Sequence, residues 1–250
     1  MAHPLDGVGA KIERATDHVE KLIRDARDFE RHAYTIREER NPETGTIRLL
    51  AKQVGPINPP IQLALIAGEI AYQLRSALDH LVYQLIAANK QSPNRLGQFP
   101  IFTARDKYLA RAPSMIEGVS SSAKTIIESV QPYHRSARAD EDPLWKLHDL
   151  NNTDKHRLIP VCLVLPPYVS VRLFNREPFS VTGYPPCALE EGTEFLFEPS
   201  DPEVEMQSEL SCQIAFERIG GAEFEPVVPF LTQVISHVHS IVERFVGEFR

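Results

Sequence analysis

Arg75, Asp79 and His80 lie close together in "EIAYQLRSALDHLVYQL", the stretch from Glu69 to Leu85. Short polar and aromatic groups of this kind suit a shared pocket in which a histidine can be held and tuned. An imidazole with a pKa near 6.5 takes or gives a proton near neutral pH. Tyr72 and Tyr83 flank the trio with aromatic surface. A second cluster is "LWKLHDLNNTDKHR", Leu144 to Arg157. Trp145, His148, Asp149 and Asn152 share one helical face, and Asp154, Lys155, His156 and Arg157 crowd the end of the same segment. That set can bind a phosphate or hold a base. A plainer account covers both clusters. Arg75 and Asp79 form an i,i+4 ion pair, the tyrosines cover the core, Asp154 caps backbone amides, and the cations are a solvated corner.

The elements that must position these residues follow from periodicity. Ile12, Ala15, Val19, Leu22, Ile23, Ala26 and Phe29 have helical spacing and predict a first amphipathic helix over about 8–33. "YTIREERNPETGTIRLLAKQV" alternates, turns at "NPETG" and alternates again, the pattern of a β-hairpin. A long second helix is expected from Pro60 to Asn89, with Ile70, Leu74, Leu78, Leu81 and Leu85 on one side. Glu69, Tyr72, Ser76, Asp79, His80 and Tyr83 fall opposite, so both faces are expected to be partly buried. Shorter helices are expected over 104–117 and 122–130. Asp142 and Pro143 read as the cap and first position of another helix. Past "NNTDKHR" the texture changes to strands broken by Pro and Gly, as in "RLIPVCLVLPPYVSVRLF", "TEFLFEP" and "SELSCQIAFERI". Phe230, Val234, Val238, Ile241, Phe245 and Phe249 then predict a closing helix. The expected fold class is α+β: a helical bundle with a mainly antiparallel sheet from the C-terminal half and an N-terminal β-hairpin. One intertwined domain is expected over 1–250, helix-rich over 1–157, strand-rich over 158–225, and closed by a helix over 226–249.

Composition narrows the function classes. A chain of 250 residues with 42% hydrophobic and 24% charged residues is ordinary for a globular protein. No apolar run is long enough to span a membrane, and no secretion signal is visible at the N-terminus. Cys162, Cys187 and Cys212 form no CxxC pair and are expected to be reduced thiols, which points to a cytoplasmic location. The net charge of -7 argues against wholesale nucleic-acid binding. Its distribution is uneven, however. Pro185–Glu225 holds eleven acidic residues against Arg218 alone, whereas Ile70–Arg135 holds eight basic residues and four acids. A basic face around the second helix is therefore compatible with the acidic total. HExxH, cysteine clusters, GxGxxG and GxSxG are all missing, so no metal site, nucleotide cofactor or serine nucleophile is expected.

Several motifs in order, "LRSALDHLVYQL", "FPIF", "QPY" and "LWKLHDLNNTDKHR", resemble a widespread group of bacterial proteins of unknown function, from roughly Ile66 to Leu158. More loosely, Arg75 and His80 resemble the Arg-x4-His motif of HEPN domains. That resemblance implies a metal-independent endoribonuclease whose motifs meet across a homodimer cleft, with Arg75, Asp79 and His80 catalytic. Tyr72, Tyr83, Asn152, Asp154, Lys155, His156 and Arg157 would then contact RNA. Arg27 and His32 repeat the spacing, but only the Arg75 copy sits in the larger motif set. The competing expectation is a non-catalytic dimerisation or partner-binding protein, in which the Arg, Asp and His clusters form a structural polar network.

Overall fold

Helix α1, Asp6–Ala33, buries Val8, Ile12, Ala15, Val19, Leu22, Ala26 and Phe29 along one stripe, as its periodicity predicts. The structure is a computed structural model that describes residues 3–44, 47–53, 55–56, 58–93, 97–165, 168–173, 179–182, 187–188, 194–197, 206–209 and 213–249. Strands β1 (Tyr34–Arg40) and β2 (Ile47–Gln53) form the expected antiparallel hairpin, with Tyr34 opposite Gln53 and Arg40 opposite Ile47. Asn41 Oδ1 accepts the amides of Glu43 and Thr44 at 2.8 and 3.3 Å and so folds the turn.

Helix α2, Ile61–Ala88, is the centre of the bundle. Ile70, Leu74, Leu78, Leu81 and Leu85 are buried as expected. Leu63, Ala67, Ala71, Ala77, Val82 and Ile86 are buried as well, which widens the apolar face well beyond one stripe. Three helices cover it: α1, α5 (Pro143–His156) and α6 (Val227–Glu243). Between α2 and α5 run α3 (Arg105–Met115), α4 (Ser121–Ser129) and a 3-10 segment, Pro132–Glu141. Asp142 caps α5 by accepting the Leu144 amide at 2.9 Å, with Pro143 in the first turn. Helix α6 ends earlier than its apolar spacing predicts. The chain turns at Arg244, continues as a 3-10 turn over Val246–Phe249, and still buries Phe245 completely.

The remaining strands are β3 (Val161–Leu165), β4 (Tyr168–Leu173), β5 (Phe179–Thr182), β6 (Cys187–Ala188), β7 (Glu194–Phe197), β8 (Met206–Glu209), β9 (Gln213–Ile219) and β10 (Ala222–Pro226). All described pairings are antiparallel. They make three sheets rather than one, in the orders β1-β2-β7, β10-β9-β3-β6 and β5-β4-β8. The N-terminal hairpin is thus extended by a strand from the C-terminal half, with Leu49 opposite Phe195. Sheet and bundle meet where β9 contacts α1, α5 and α6. Glu30 of α1 accepts the Ile214 amide there at 3.1 Å, and Phe216 packs edge-on against Phe230 with ring centres 6.0 Å apart. No helix among the described residues is long and apolar enough to cross a membrane. Cys212 and the acidic Glu190, Glu191, Glu198, Asp201, Glu203 and Glu205 lie outside the described residues.

Candidate functional site

Arg75 and Asp79 stand one turn apart on α2, and both reach the same backbone unit across the fold. Arg75 Nη2 donates to the Phe99 carbonyl at 2.7 Å and to Asp79 Oδ1 at 2.9 Å. Asp79 Oδ1 accepts the Phe99 amide at 2.9 Å. Two side chains thereby satisfy both polar groups of one buried residue. Burial pushes the Arg75 guanidinium below its ordinary pKa, against the charge of Asp79. Burial likewise raises the Asp79 carboxyl, opposed by Arg75, by the Phe99 amide and by Lys155. A guanidinium keeps its proton in such a setting, so the pair is ionised and each charge offsets the desolvation of the other.

The segment that Arg75 and Asp79 hold is also held from its far side. Gln131 is 2% exposed. Its Nε2 donates to the Pro100 and Ile127 carbonyls at 2.8 and 3.1 Å, while its Oε1 accepts the Phe102 amide at 3.2 Å. The motifs "LRSALDH", "FPIF" and "QPY" therefore meet at residues 99–102.

Helix α5 brings the fourth motif to the same place. His148 lies beside Arg75, its Nε2 2.9 Å from Asn152 Nδ2 and its ring centre 5.4 Å from that of Trp145. Burial, reinforced by the charges of Arg75 and Lys155 and opposed by Asp149, pushes its pKa down to about 4. The ring is neutral near pH 7. Because the Asn152 amide donates to Nε2, the one ring proton is on Nδ1. Further along α5, Asp154 packs directly on Gly68 of α2. A β-carbon at Gly68 would lie 2.2 Å from Asp154 Oδ1. Burial raises the Asp154 carboxyl and Glu69 raises it further.

His80 belongs to a different neighbourhood. Five residues of helix rotate it by about 140° from Arg75. It packs against Gly7 at the start of α1, where an added β-carbon would come within 2.5 Å of His80 Cε1. Its Nε2 is 3.0 Å from Gln84 Nε2, and its ring centre is 6.3 Å from that of Tyr83. Within one chain, Arg75 and Asp79 are brought together and His80 is turned away from them. The expected network joining Arg75 and Asp79 to Asp154 and His156 is not formed as such. The Phe99 backbone is the partner of the first two, Asp154 meets Gly68, and Lys155, His156 and Arg157 are exposed. Tyr72 and Tyr83 are 56% and 53% exposed rather than laid over the core.

Other sequence features resolve into structure. Asp149 Oδ2 accepts the Gly220 amide at 3.0 Å, and Lys146 bridges to Glu225, so α5 is fastened to the β9–β10 hairpin. Among the described residues no three His, Cys, Asp or Glu side chains gather as metal ligands. Cys162 donates weakly to the Ala215 carbonyl, and burial with Glu217 nearby pushes its thiol up to about 11, which leaves it unreactive near pH 7. Sequence reasoning missed Phe99 as a site residue because its contribution is its backbone. It also grouped His148 with its own helix and not with Arg75. The signal for both was present in the "FPIF" and "LHDLNN" motifs. Comparison with family models, with curated proteins and with solved structures finds no match to this chain.

Proposed function

We propose that this protein acts by binding rather than by catalysis, and that its first partner is a second copy of itself docked along α2. The observation that carries this reading is a stripe of exposed apolar and aromatic side chains. Ile61, Leu65, Tyr72 and Tyr83 are 55%, 48%, 56% and 53% exposed. At 100° per residue they fall within an arc of roughly 40° on one helix. Four such groups in line are more than scattered surface residues. The stripe is also self-complementary: Ile61 and Tyr83 are each eleven residues from Tyr72. A two-fold axis at Tyr72 would set Ile61 of one copy against Tyr83 of the other, an isologous contact. In this reading Arg75, Asp79 and Phe99 are the clamp that holds α2 in place. Light scattering of the purified chain and of Leu65→Arg tests it. Wild type should have twice the chain mass of 28.2 kDa, and the variant the mass of one chain with an unchanged circular dichroism spectrum.

One observation favours the HEPN-like, metal-independent ribonuclease as the second reading. Lys155, His156 and Arg157 form an exposed basic group at the end of α5, and the Lys155 charge reaches Asp79 and His148. His80 would then move the proton of a ribose 2′-hydroxyl, Arg75 would stabilise the phosphoryl charge with Asp79 orienting it, and the basic group would hold RNA. The low exposure of Arg75 weighs against it. Single-stranded RNA incubated with the protein and EDTA separates the two readings. Cleavage to 2′,3′-cyclic phosphate ends, lowered about 10²-fold in a folded His80→Ala, would establish the ribonuclease. Intact RNA is the outcome expected of a binding protein.

A further inference from the structure

Ile23, Ala26, Arg27 and Glu30 follow i, i+3, i+4, i+7 spacing and share one side of α1. Where that side meets β9 and the start of α6 lies a cavity of about 200 Å³. Ile23 and Ala26 line it from α1, and Val228 and Pro229 line it from α6, so these walls are aliphatic. Arg27, Glu30 and Gln213 supply the polar part of the lining. Glu30 is half-buried and Arg27 is exposed. Glu30 Oε1 accepts the Ile214 amide at 3.1 Å, while Oε2 has no hydrogen-bond partner among the described residues. Burial pushes this carboxyl above its ordinary pKa, opposed by the Ile214 amide and by the charge of Arg27. The two charges therefore act on each other, yet among the described residues Arg27 and Glu30 form no ion pair.

The lining says what kind of ligand fits. A carboxylate and a guanidinium that line one cavity without pairing match a molecule with an ammonium and a carboxylate of its own. An ammonium at Glu30 would also offset the cost of burying that carboxylate. Size limits the rest of the ligand. A cavity of about 150 Å³ holds the six carbons of benzene. The 200 Å³ here must also admit a charged head, which leaves room for a body of about four carbons. A simple amine would leave Arg27 unanswered, a fatty acid would leave Glu30 unanswered, and glycine would leave the aliphatic walls bare. We infer that this cavity binds a free α-amino acid with a branched aliphatic side chain, its ammonium received by Glu30, its carboxylate by Arg27 and its body lying on Ile23, Ala26, Val228 and Pro229. The described lining includes no residue of α2, so the site does not depend on the pairing of two chains.

The test is calorimetric titration of the full-length protein with leucine, 4-methylpentanoate, glycine and leucinamide at neutral pH. Leucine should bind saturably at one site per chain. 4-Methylpentanoate keeps the body and the carboxylate but loses the ammonium. It should bind at least about tenfold more weakly, the scale of a charge-assisted hydrogen bond to a half-buried carboxylate. Glycine keeps the head and loses the body, and should also be at least about tenfold weaker. Leucinamide loses only the carboxylate. Because Arg27 is exposed, that loss should be about fivefold, the upper range for a charge contact in water. Arg27→Gln should weaken leucine by the same factor and leave leucinamide unchanged. Arg27 has no ion pair to lose, so the variant should melt with the wild type. No saturable leucine binding, equal binding of leucine and any of the other three ligands, or undiminished leucine binding by the folded Arg27→Gln would each overturn the assignment.

Discussion

At the scale of single residues, one arginine carries two obligations. Arg75 neutralises Asp79 and closes the Phe99 carbonyl through the same Nη2. Arg75→Met keeps most of the side-chain volume and strips both interactions, leaving a largely buried carboxylate unpaired. The expected loss is about 3 kcal/mol in urea unfolding at neutral pH, the usual scale for breaking one half of such a pair. The deficit should shrink on acidification. Burial already holds the Asp79 carboxyl above its ordinary pKa, and without Arg75 it rises further, so protonation removes the orphaned charge as pH falls. His148 gives a pH dependence of its own in the wild type. Its folded pKa of about 4 lies below the ordinary 6.5, so the unfolded chain takes up the proton first. The stability contributed by the neutral ring is present above pH 6.5 and is lost as pH falls towards about 4. Urea melts across that window should show a shallower pH slope for His148→Phe than for wild type.

At the scale of elements, the helix contacts depend on glycines that let neighbours approach. Gly68 is where Asp154 of α5 touches α2, whereas a β-carbon on Gly9 of α1 meets nothing within 4 Å. Alanine should raise helix propensity at both by up to about 1 kcal/mol. Gly9→Ala should therefore raise the melting temperature. Gly68→Ala should raise it less, because the Asp154 carboxyl must swing off α2 to admit the β-carbon and that offsets part of the propensity gain. Calorimetry of the two variants side by side checks this. Much of this level was legible in the sequence, since α1 and α6 bury one-sided stripes that periodicity exposes, α2 buries its predicted stripe within a wider face, and α5 carries its own cap. The division of the strands into three sheets was not. The pairing of Leu49 with Phe195 joins segments far apart in the chain, and no local pattern encodes it. The site was half legible for a related reason. Arg75 and Asp79 stood out by type and spacing, but their shared partner is the Phe99 backbone, which side-chain identity does not reveal. The separation of His80 from Arg75 follows from five residues of helix, and the motif match ignores that rotation.

At the scale of the whole molecule, a buried clamp and an exposed stripe share helix α2. Helix α2 is wrapped by α1, α5 and α6 and still presents Ile61, Leu65, Tyr72 and Tyr83 outward. If a second copy covers that stripe about a two-fold axis, residue 72 faces residue 72 of the other chain. A cysteine there should find its own counterpart. Leu109 of α3 is equally exposed, at 55%, and lies off the stripe, so it serves as the control. The most direct measurement is mild oxidation of Tyr72→Cys, Leu109→Cys and wild type at equal concentration, followed by non-reducing electrophoresis. Tyr72→Cys should give rapid, reducible covalent dimer and Leu109→Cys only the slow wild-type background. Cross-linking of Tyr72→Cys no faster than that of Leu109→Cys would contradict the claim that two chains meet along α2.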